Sequence, residues 1–312
     1  ELNLPKPKYN LGVGSGSHAE QTAKILIGVE QILVKEKPDM VLVEGDTNTV
    51  LGAALAAQKL HIKIGHVEAG LRSGDRGMPE EINRILVDHC SDLLFAPTLE
   101  SYKNLVKEGI EKNKIFITGN TIVDAIKENL KLAERKSKIL KKLKLIPKNF
   151  FLLTLHRQEN VDNKLRLRNI LKGLDLVYNR FNLPIIFPIH PRTHKRIMEF
   201  NLKIPNGLKT IEPIGFFDFL ILEKTAKLIF TDSGGVQEES CVLGTPCVTL
   251  RDNTERPETL KVGSNILAGT NPNRILKSAN KLINRKNYRW KNPFGDGRSA
   301  KKIIAIINKF SK

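Results

Sequence analysis

Met40-Val41-Leu42-Val43-Glu44-Gly45-Asp46-Thr47 sets the reading of the whole chain. Four consecutive apolar residues are too few for a helix and suit a strand buried on both faces. The polar Glu-Gly-Asp-Thr turn then closes that strand. Upstream, residues 18–35 place Ala23, Ile25, Leu26, Val29, Ile32 and Leu33 at helical spacing, with Ser17 positioned to cap the helix and Pro38 to stop it. Downstream, a small-residue helix over 47–59 leads to a second strand over 62–67. Residues 79–90 read as a helix, with Pro79 at its first position and Glu80 and Glu81 favouring its positive end. A strand at 93–96, a helix after Pro97, a strand at 115–118 and a long helix from Asn120 complete a first run of strand–helix units.

The pattern restarts after Pro147. Strands are expected at 150–155, 185–189, 208–211, 228–231 and 247–250, with helical segments between them, the clearest over 165–181. Such alternation predicts parallel sheets covered by helices on both faces. The expected fold class is therefore α/β, with two Rossmann-like domains over 1–146 and 147–297. Ligands in such a fold sit at the carboxyl ends of the strands, which here places them around an interdomain cleft. Gly12-Val13-Gly14-Ser15-Gly16 follows a loop, not a strand, and reads as a flexible connection instead of a dinucleotide fingerprint.

The 312 residues include 51 Lys and Arg against 33 Asp and Glu, a formal net charge of +18. That charge raises nucleic-acid binding as a function class. It is confined to two segments: residues 131–148 hold eight basic residues and one acid, and residues 273–312 hold twelve and one, which leaves the other 254 residues neutral. Both segments have helical apolar spacing, without an aromatic RNA-binding strand or zinc-finger spacing, so they read as solvated helix faces and no nucleic-acid partner is expected. No apolar stretch approaches the roughly 18–20 residues that span a bilayer, so no membrane partner is expected either. Cys90, Cys241 and Cys247 are odd in number and lack metal-type spacing, which suggests a reduced, cytoplasmic setting and no metal site.

Ionisable residues gather at the strand ends. Asp46 follows the first strand, Glu68 lies in His66-Val67-Glu68-Ala69-Gly70-Leu71-Arg72, His156 opens His156-Arg157-Gln158-Glu159-Asn160, His190 precedes Pro191-Arg192, and Asp232-Ser233-Gly234-Gly235 follows strand 228–231. Each has a plain alternative. Asp46 could cap the following helix, Glu80 could serve only the helix dipole, and Arg84 could be its i,i+4 partner. His156 and His190 could be satisfied core histidines. Ser233 could be an N-cap and its glycines a tight turn, although glycines at a helix N-terminus also admit phosphate oxygens. Glu68 is harder to explain structurally, because a carboxylate between Val67 and Ala69 is costly to bury without purpose.

Eight motifs together carry a family resemblance. They are Glu44-Gly45-Asp46-Thr47, His66 to Arg72, Pro79-Glu80-Glu81-Ile82-Asn83-Arg84, Gly119-Asn120-Thr121, His156 to Asn160, Thr231 to Glu239, Thr254-Glu255-Arg256-Pro257-Glu258 and Asn292-Pro293-Phe294-Gly295-Asp296-Gly297. In this order, across essentially the whole chain, they resemble the non-hydrolysing UDP-N-acetylglucosamine 2-epimerases. The resemblance implies two Rossmann-like domains of glycosyltransferase-B type, with a final helix over 298–312 crossing back to the first. It also implies an isomerase that interconverts UDP-GlcNAc and UDP-ManNAc without a cofactor, through elimination of UDP and its re-addition, and that supplies surface polysaccharide or glycan precursors. A sugar-nucleotide-dependent glycosyltransferase and a hydrolysing epimerase remain the alternatives.

Carried over by motif, Asp46, Glu68, Glu80 and His156 match the family's catalytic residues. Arg84, Phe219, Ser233, Gly234, Gly235, Glu239 and Arg256 match its substrate-binding residues. His190 falls near a second, regulatory UDP-GlcNAc site. A homodimer is implied as well. The family opens with a strand, a Gly-x-Arg-Pro-Glu turn and a helix that do not precede residue 1 here, so the first domain is expected to lack that unit.

Overall fold

Leu93–Ala96 and Leu228–Thr231 are buried at every position, as parallel strands covered on both faces must be. They are central strands of two separate parallel sheets in the computed structural model, which describes residues 2, 4–285 and 289–310. The chain packs as two α/β units, one of Glu1–Asp124 with Phe294–Lys312, the other of Ala125–Pro293.

The first unit holds β1 (Met40–Glu44), β2 (Lys63–Val67), β3 (Leu93–Ala96) and β4 (Ile115–Ile117), in that spatial order. As the edge strand, β1 leaves Leu42 exposed, whereas β2 is enclosed between β1 and β3. Ser17 caps helix His18–Glu36 by accepting the Glu20 amide. The helix Ser299–Phe310 belongs to this unit: Ile303 packs with Leu93 and Phe95, and the Phe310 ring meets Phe116 edge-on at 5.7 Å.

The second unit holds β5 (Phe151–Thr154), β6 (Ile185–Pro188), β7 (Leu208–Ile211), β8 (Leu228–Thr231), β9 (Cys247–Thr249) and β10 (Asn265–Leu267), ordered β10-β9-β8-β5-β6-β7. The chain starts at the centre, winds outward to β7, then crosses to β8 and winds the other way. A doubly wound sheet of this kind opens its ligand crevice at the carboxyl ends of the two central strands, here β5 and β8. The three-residue β10 begins on a polar Asn and gives no apolar run, which is why the sequence does not announce it.

The division between the units falls at Asp124 and Ala125, inside helix Thr121–Lys136, instead of at Pro147. The intervening residues pack with the second unit. Ser137 Oγ donates to Asp218 at 2.5 Å, Ile139 is buried, and Lys148 Nζ caps the carbonyls of Lys224 and Ala226 at 2.9 Å each. A boundary inside a helix leaves no proline or glycine to mark it. Among the described residues, no helix is long and apolar enough to cross a membrane.

Candidate active site

Helix Pro79–Cys90 buries Glu81, Asn83, Arg84, Val87 and Asp88, a face that is polar at four positions of five. Burying so much charge is unfavourable unless each group is paired. Arg84 pairs with the Asp46 carboxylate and, at 3.2 Å, with Glu81. Glu81 in turn accepts the amides of Ser73 and Gly74 at 2.9 Å, and Asn83 Nδ2 donates to the Asp46 carbonyl at 2.8 Å. The Arg84 Nε is buried with no hydrogen-bond partner among the described residues.

Asp46 and Glu80 line one cavity of about 680 Å³ in the first unit, together with Asn48 and Asn83. Glu68, half-buried, sits at φ +72°, a left-handed conformation that a non-glycine residue adopts at a cost of about 1–2 kcal/mol. Its carboxylate lies beside Gly45, where a Cβ would come 3.7 Å from Oε2. Such strain persists only where the surroundings enforce it, and it marks functional positions.

One of the plain alternatives gives way here. Asp46 does not cap the following helix: Thr47 is the N-cap residue and makes no side-chain cap bond, while the Asp46 carboxylate goes to Arg84. Arg84 reaches Asp46 and, three residues back on its own helix, Glu81. Glu80 occupies the first turn of its helix and also lines the cavity, so both readings of it stand.

The sequence reading passed over a buried network directly behind these acids. His66 is fully enclosed in β2, with Nδ1 2.6 Å from Asp88 and Nε2 2.9 Å from the Gly45 carbonyl. Asp88 also accepts the Gly70 amide at 3.1 Å and pairs with Arg72 at 2.7 Å, and Arg72 continues to Glu108 at 2.5 Å. A histidine inside an apolar central strand must find polar partners, and that was the available signal.

In the second unit, β5 leads to His156 and β8 to Asp232, with Thr154 and Thr231 hydroxyls joined at 2.5 Å between the two strands. Fully buried Asp232 gathers the amides of His156 (3.1 Å) and Arg157 (2.9 Å) and the Asn160 side chain (3.2 Å). His156 is 44% exposed, with Nδ1 3.4 Å from Asp232. Partial burial, aided by Arg157 and His190 and opposed by Asp232, holds its pKa below the ordinary value. His156, His190, Phe219 and Ser233 line one cavity of about 270 Å³. Neither histidine is a core residue: His190 is exposed and caps helix Pro191–Glu199, its Nδ1 accepting the Arg192 amide. The Phe219 amide is taken up by the Gly215 carbonyl at 3.0 Å.

Ser233 is the N-cap of helix Gly234–Leu243, as its plain reading supposed, through a long 3.5 Å bond from the Val236 amide. Its two glycines differ. A Cβ on Gly234 would lie 2.3 Å from Glu255 Oε1, whereas Gly235 has nothing nearer than 3.9 Å. Glu255 is buried and paired with Arg251 at 2.9 Å and Arg157 at 3.6 Å, a cluster the sequence did not single out. Arg256 is buried against Glu238 at 2.8 Å. Burial, with the Glu239 charge, pushes the pKa of the enclosed Glu223 well above the carboxylate range, and burial raises that of Glu239 too. Among the described residues, no cluster of three or more His, Cys, Asp or Glu side chains is arranged to hold a metal ion.

Comparison with known proteins shows what the chain is similar to. A family model described as UDP-N-acetylglucosamine 2-epimerase matches residues 1–308. The UDP-N-acetylglucosamine 2-epimerase of Methanocaldococcus jannaschii is 58% identical over 313 residues, spanning 98% of this chain and 85% of that protein. A crystal structure of Methanocaldococcus jannaschii UDP-GlcNAc 2-epimerase in complex with UDP-GlcNAc and UDP matches with a TM-score of 0.93 at 57% identity, over 98% of this chain and 86% of the other. The UDP-2,3-diacetamido-2,3-dideoxy-D-glucuronate 2-epimerase of Pseudomonas aeruginosa is 39% identical, over 99% of this chain and 86% of its own length.

Proposed function

The chain belongs to the UDP-N-acetylglucosamine 2-epimerase family, and on that premise we propose that it interconverts UDP-GlcNAc and UDP-ManNAc by inverting carbon 2 of the sugar. The observation that carries this is the carboxylate set of the first unit: Asp46 and Glu80 on one cavity, with Glu68 held beside Gly45 in a strained conformation.

The proton on carbon 2 is barely acidic, so its removal needs a positioned base and a leaving group that departs at carbon 1. One carboxylate takes that proton. The carbon–hydrogen electron pair becomes the carbon 1–carbon 2 double bond, and UDP leaves with the electrons of its bond to carbon 1. The resulting 2-acetamidoglucal receives a proton on the opposite face of carbon 2 while a UDP oxygen re-forms the bond to carbon 1. Asp46, Glu68 and Glu80 share these proton transfers and stabilise the positive charge that develops at carbon 1. Arg84 orients Asp46.

The second unit is assigned to UDP. The N-terminus of helix Gly234–Leu243, with Ser233, Gly234 and Gly235, suits phosphate oxygens. His156 gains a proton beside the departing diphosphate, the Phe219 backbone reads the uracil, and Glu239 accepts ribose hydroxyls. Arg256 is assigned with Arg84 to the phosphate region and His190 to a second, regulatory UDP-GlcNAc, on family grounds. A cytoplasmic homodimer feeding polysaccharide or glycan synthesis completes the proposal.

NMR of UDP-GlcNAc incubated with the protein in D₂O tests it. Deuterium at carbon 2 with UDP-ManNAc as product is the expected result. Free UDP with ManNAc would identify a hydrolysing enzyme, transfer of the sugar to an added acceptor with release of UDP a glycosyltransferase, and absence of exchange would remove the assignment.

A further inference from the structure

The buried His66 ring has a determinable protonation state. Its Nε2 lies 2.9 Å from the Gly45 carbonyl, which can only accept, so Nε2 carries a hydrogen. Its Nδ1 lies 2.6 Å from Asp88 Oδ1. Asp88 Oδ2 meanwhile receives the Gly70 amide at 3.1 Å and Arg72 Nη2 at 2.7 Å. A guanidinium on one oxygen favours the ionised carboxylate, and an ionised carboxylate facing Nδ1 requires a hydrogen there too. The ring is an imidazolium. Burial alone would lower its pKa, but the Asp88 charge and hydrogen bond, with the Gly45 carbonyl and Glu68, raise it, while Asp88 is lowered despite burial. The remaining charged groups around this pair are Arg72, Glu108 and, 3.9 Å from Glu108, His89.

What the imidazolium holds is the backbone of both acid-bearing turns. Gly45, at φ +86°, is tied to β2 from both sides of its residue: its amide donates to the Val67 carbonyl at 3.2 Å and its carbonyl accepts from His66. Asp46 follows directly. On the other turn Glu68, two residues past His66, is kept in its left-handed conformation by the Ala69 amide on Phe95 (3.2 Å) and the Gly70 amide on Asp88. Gly70 itself has no room to shift toward Ser101, whose carbonyl oxygen would lie 2.4 Å from a Cβ.

We propose that His66 is a positioning residue of the reaction assigned above, a cationic clamp that sets Asp46 through the Gly45 carbonyl and Glu68 through Asp88 and the Gly70 amide. Fully buried, the ring touches no substrate and acts only through these turns. The inference rests on the epimerase reading, and its test separates the two.

An Asn amide nitrogen occupies roughly the place of Nδ1 and a Gln amide nitrogen roughly that of Nε2. His66→Asn therefore keeps the Asp88 contact and releases Gly45, whereas His66→Gln keeps Gly45. The expected result is a kcat at least about tenfold lower in both variants, because each releases one of the two turns, with KM for UDP-GlcNAc changed less than about threefold. A near-normal kcat in either variant, or an effect confined to KM, would overturn the proposal. A second measurement needs no variant: ¹⁵N NMR of the wild-type protein at pH 7.5, where an ordinary histidine of pKa about 6.5 is mostly neutral, should show both His66 ring nitrogens protonated. A neutral ring there overturns the clamp whatever the variants do. Wild-type protein without deuterium exchange at carbon 2 would instead take down the epimerase reading.

Discussion

Asp46 and Asp232 stand in equivalent places, each just past the end of a parallel strand, and are used in opposite ways. Asp232 is fully buried, and its oxygens are occupied by two backbone amides and an Asn side chain from the neighbouring strand end. Asp46 keeps 24% of its side chain exposed, pairs with one face of a buried arginine and looks into a cavity. One carboxylate is scaffold, holding two loops together; the other is oriented but left accessible. The lesson is that a strand-end acid declares its role by how many fixed donors surround it, not by its position.

The contrast is broken most severely at the accessible acids. Asp46→Asn, Glu68→Gln and Glu80→Gln should each lower turnover at least about 100-fold with the fold and UDP affinity retained. Asp232→Asn should instead cost about 1–3 kcal/mol of stability, because an amide donor would face backbone donors. Steady-state kinetics beside thermal unfolding reads both effects, and a near-normal rate for any of the first three removes that residue from the catalytic set.

The next effect tests how rigid the scaffold side is. Gly234→Ala drives a Cβ to 2.3 Å from a Glu255 oxygen that Arg251 and Arg157 pin, so it should cost about 1–3 kcal/mol, whereas Gly235→Ala should change stability by less than about 0.5 kcal/mol. Chemical denaturation of both variants checks the difference; equal stabilities would mean that Glu255 can swing aside.

The smallest effect concerns charge supplied by the ligand. The His156 pKa lies below its ordinary value in the free protein, and a diphosphate bound beside it as proposed would raise it, so that binding would take up a proton. Affinity for UDP-GlcNAc, whose diphosphate diester has no titrating proton in this range, should therefore rise as pH falls from 8 to 6, by up to about tenfold. Calorimetry in the inactive Glu68→Gln background measures it, and the dependence should vanish on adding His156→Asn.

Much of this was readable in advance where local chemistry decides. The helix at Pro79–Cys90 and the strands at Leu93–Ala96 and Leu228–Thr231 fall at the expected residues, because proline placement and apolar runs are local signals. Pairing is not local. Nothing within a helical turn of Arg84 points to Asp46, and nothing in His66-Val67-Glu68 points to Asp88, 22 residues away. The division between the units follows the same rule: Pro147 is conspicuous in the sequence, while the division at Asp124 lies in uninterrupted helix. Side chains that act through tertiary partners, His66 and Arg251 above all, become visible only when the partners are in place.

Glu68 carries one more consequence. Its φ of +72° suits glycine alone without penalty, so Glu68→Gly sheds about 1–2 kcal/mol of backbone cost along with the carboxylate. Silencing this position should therefore yield a sturdier protein than the working one. It would be a natural trap, able to hold an intact sugar nucleotide long enough to be seen.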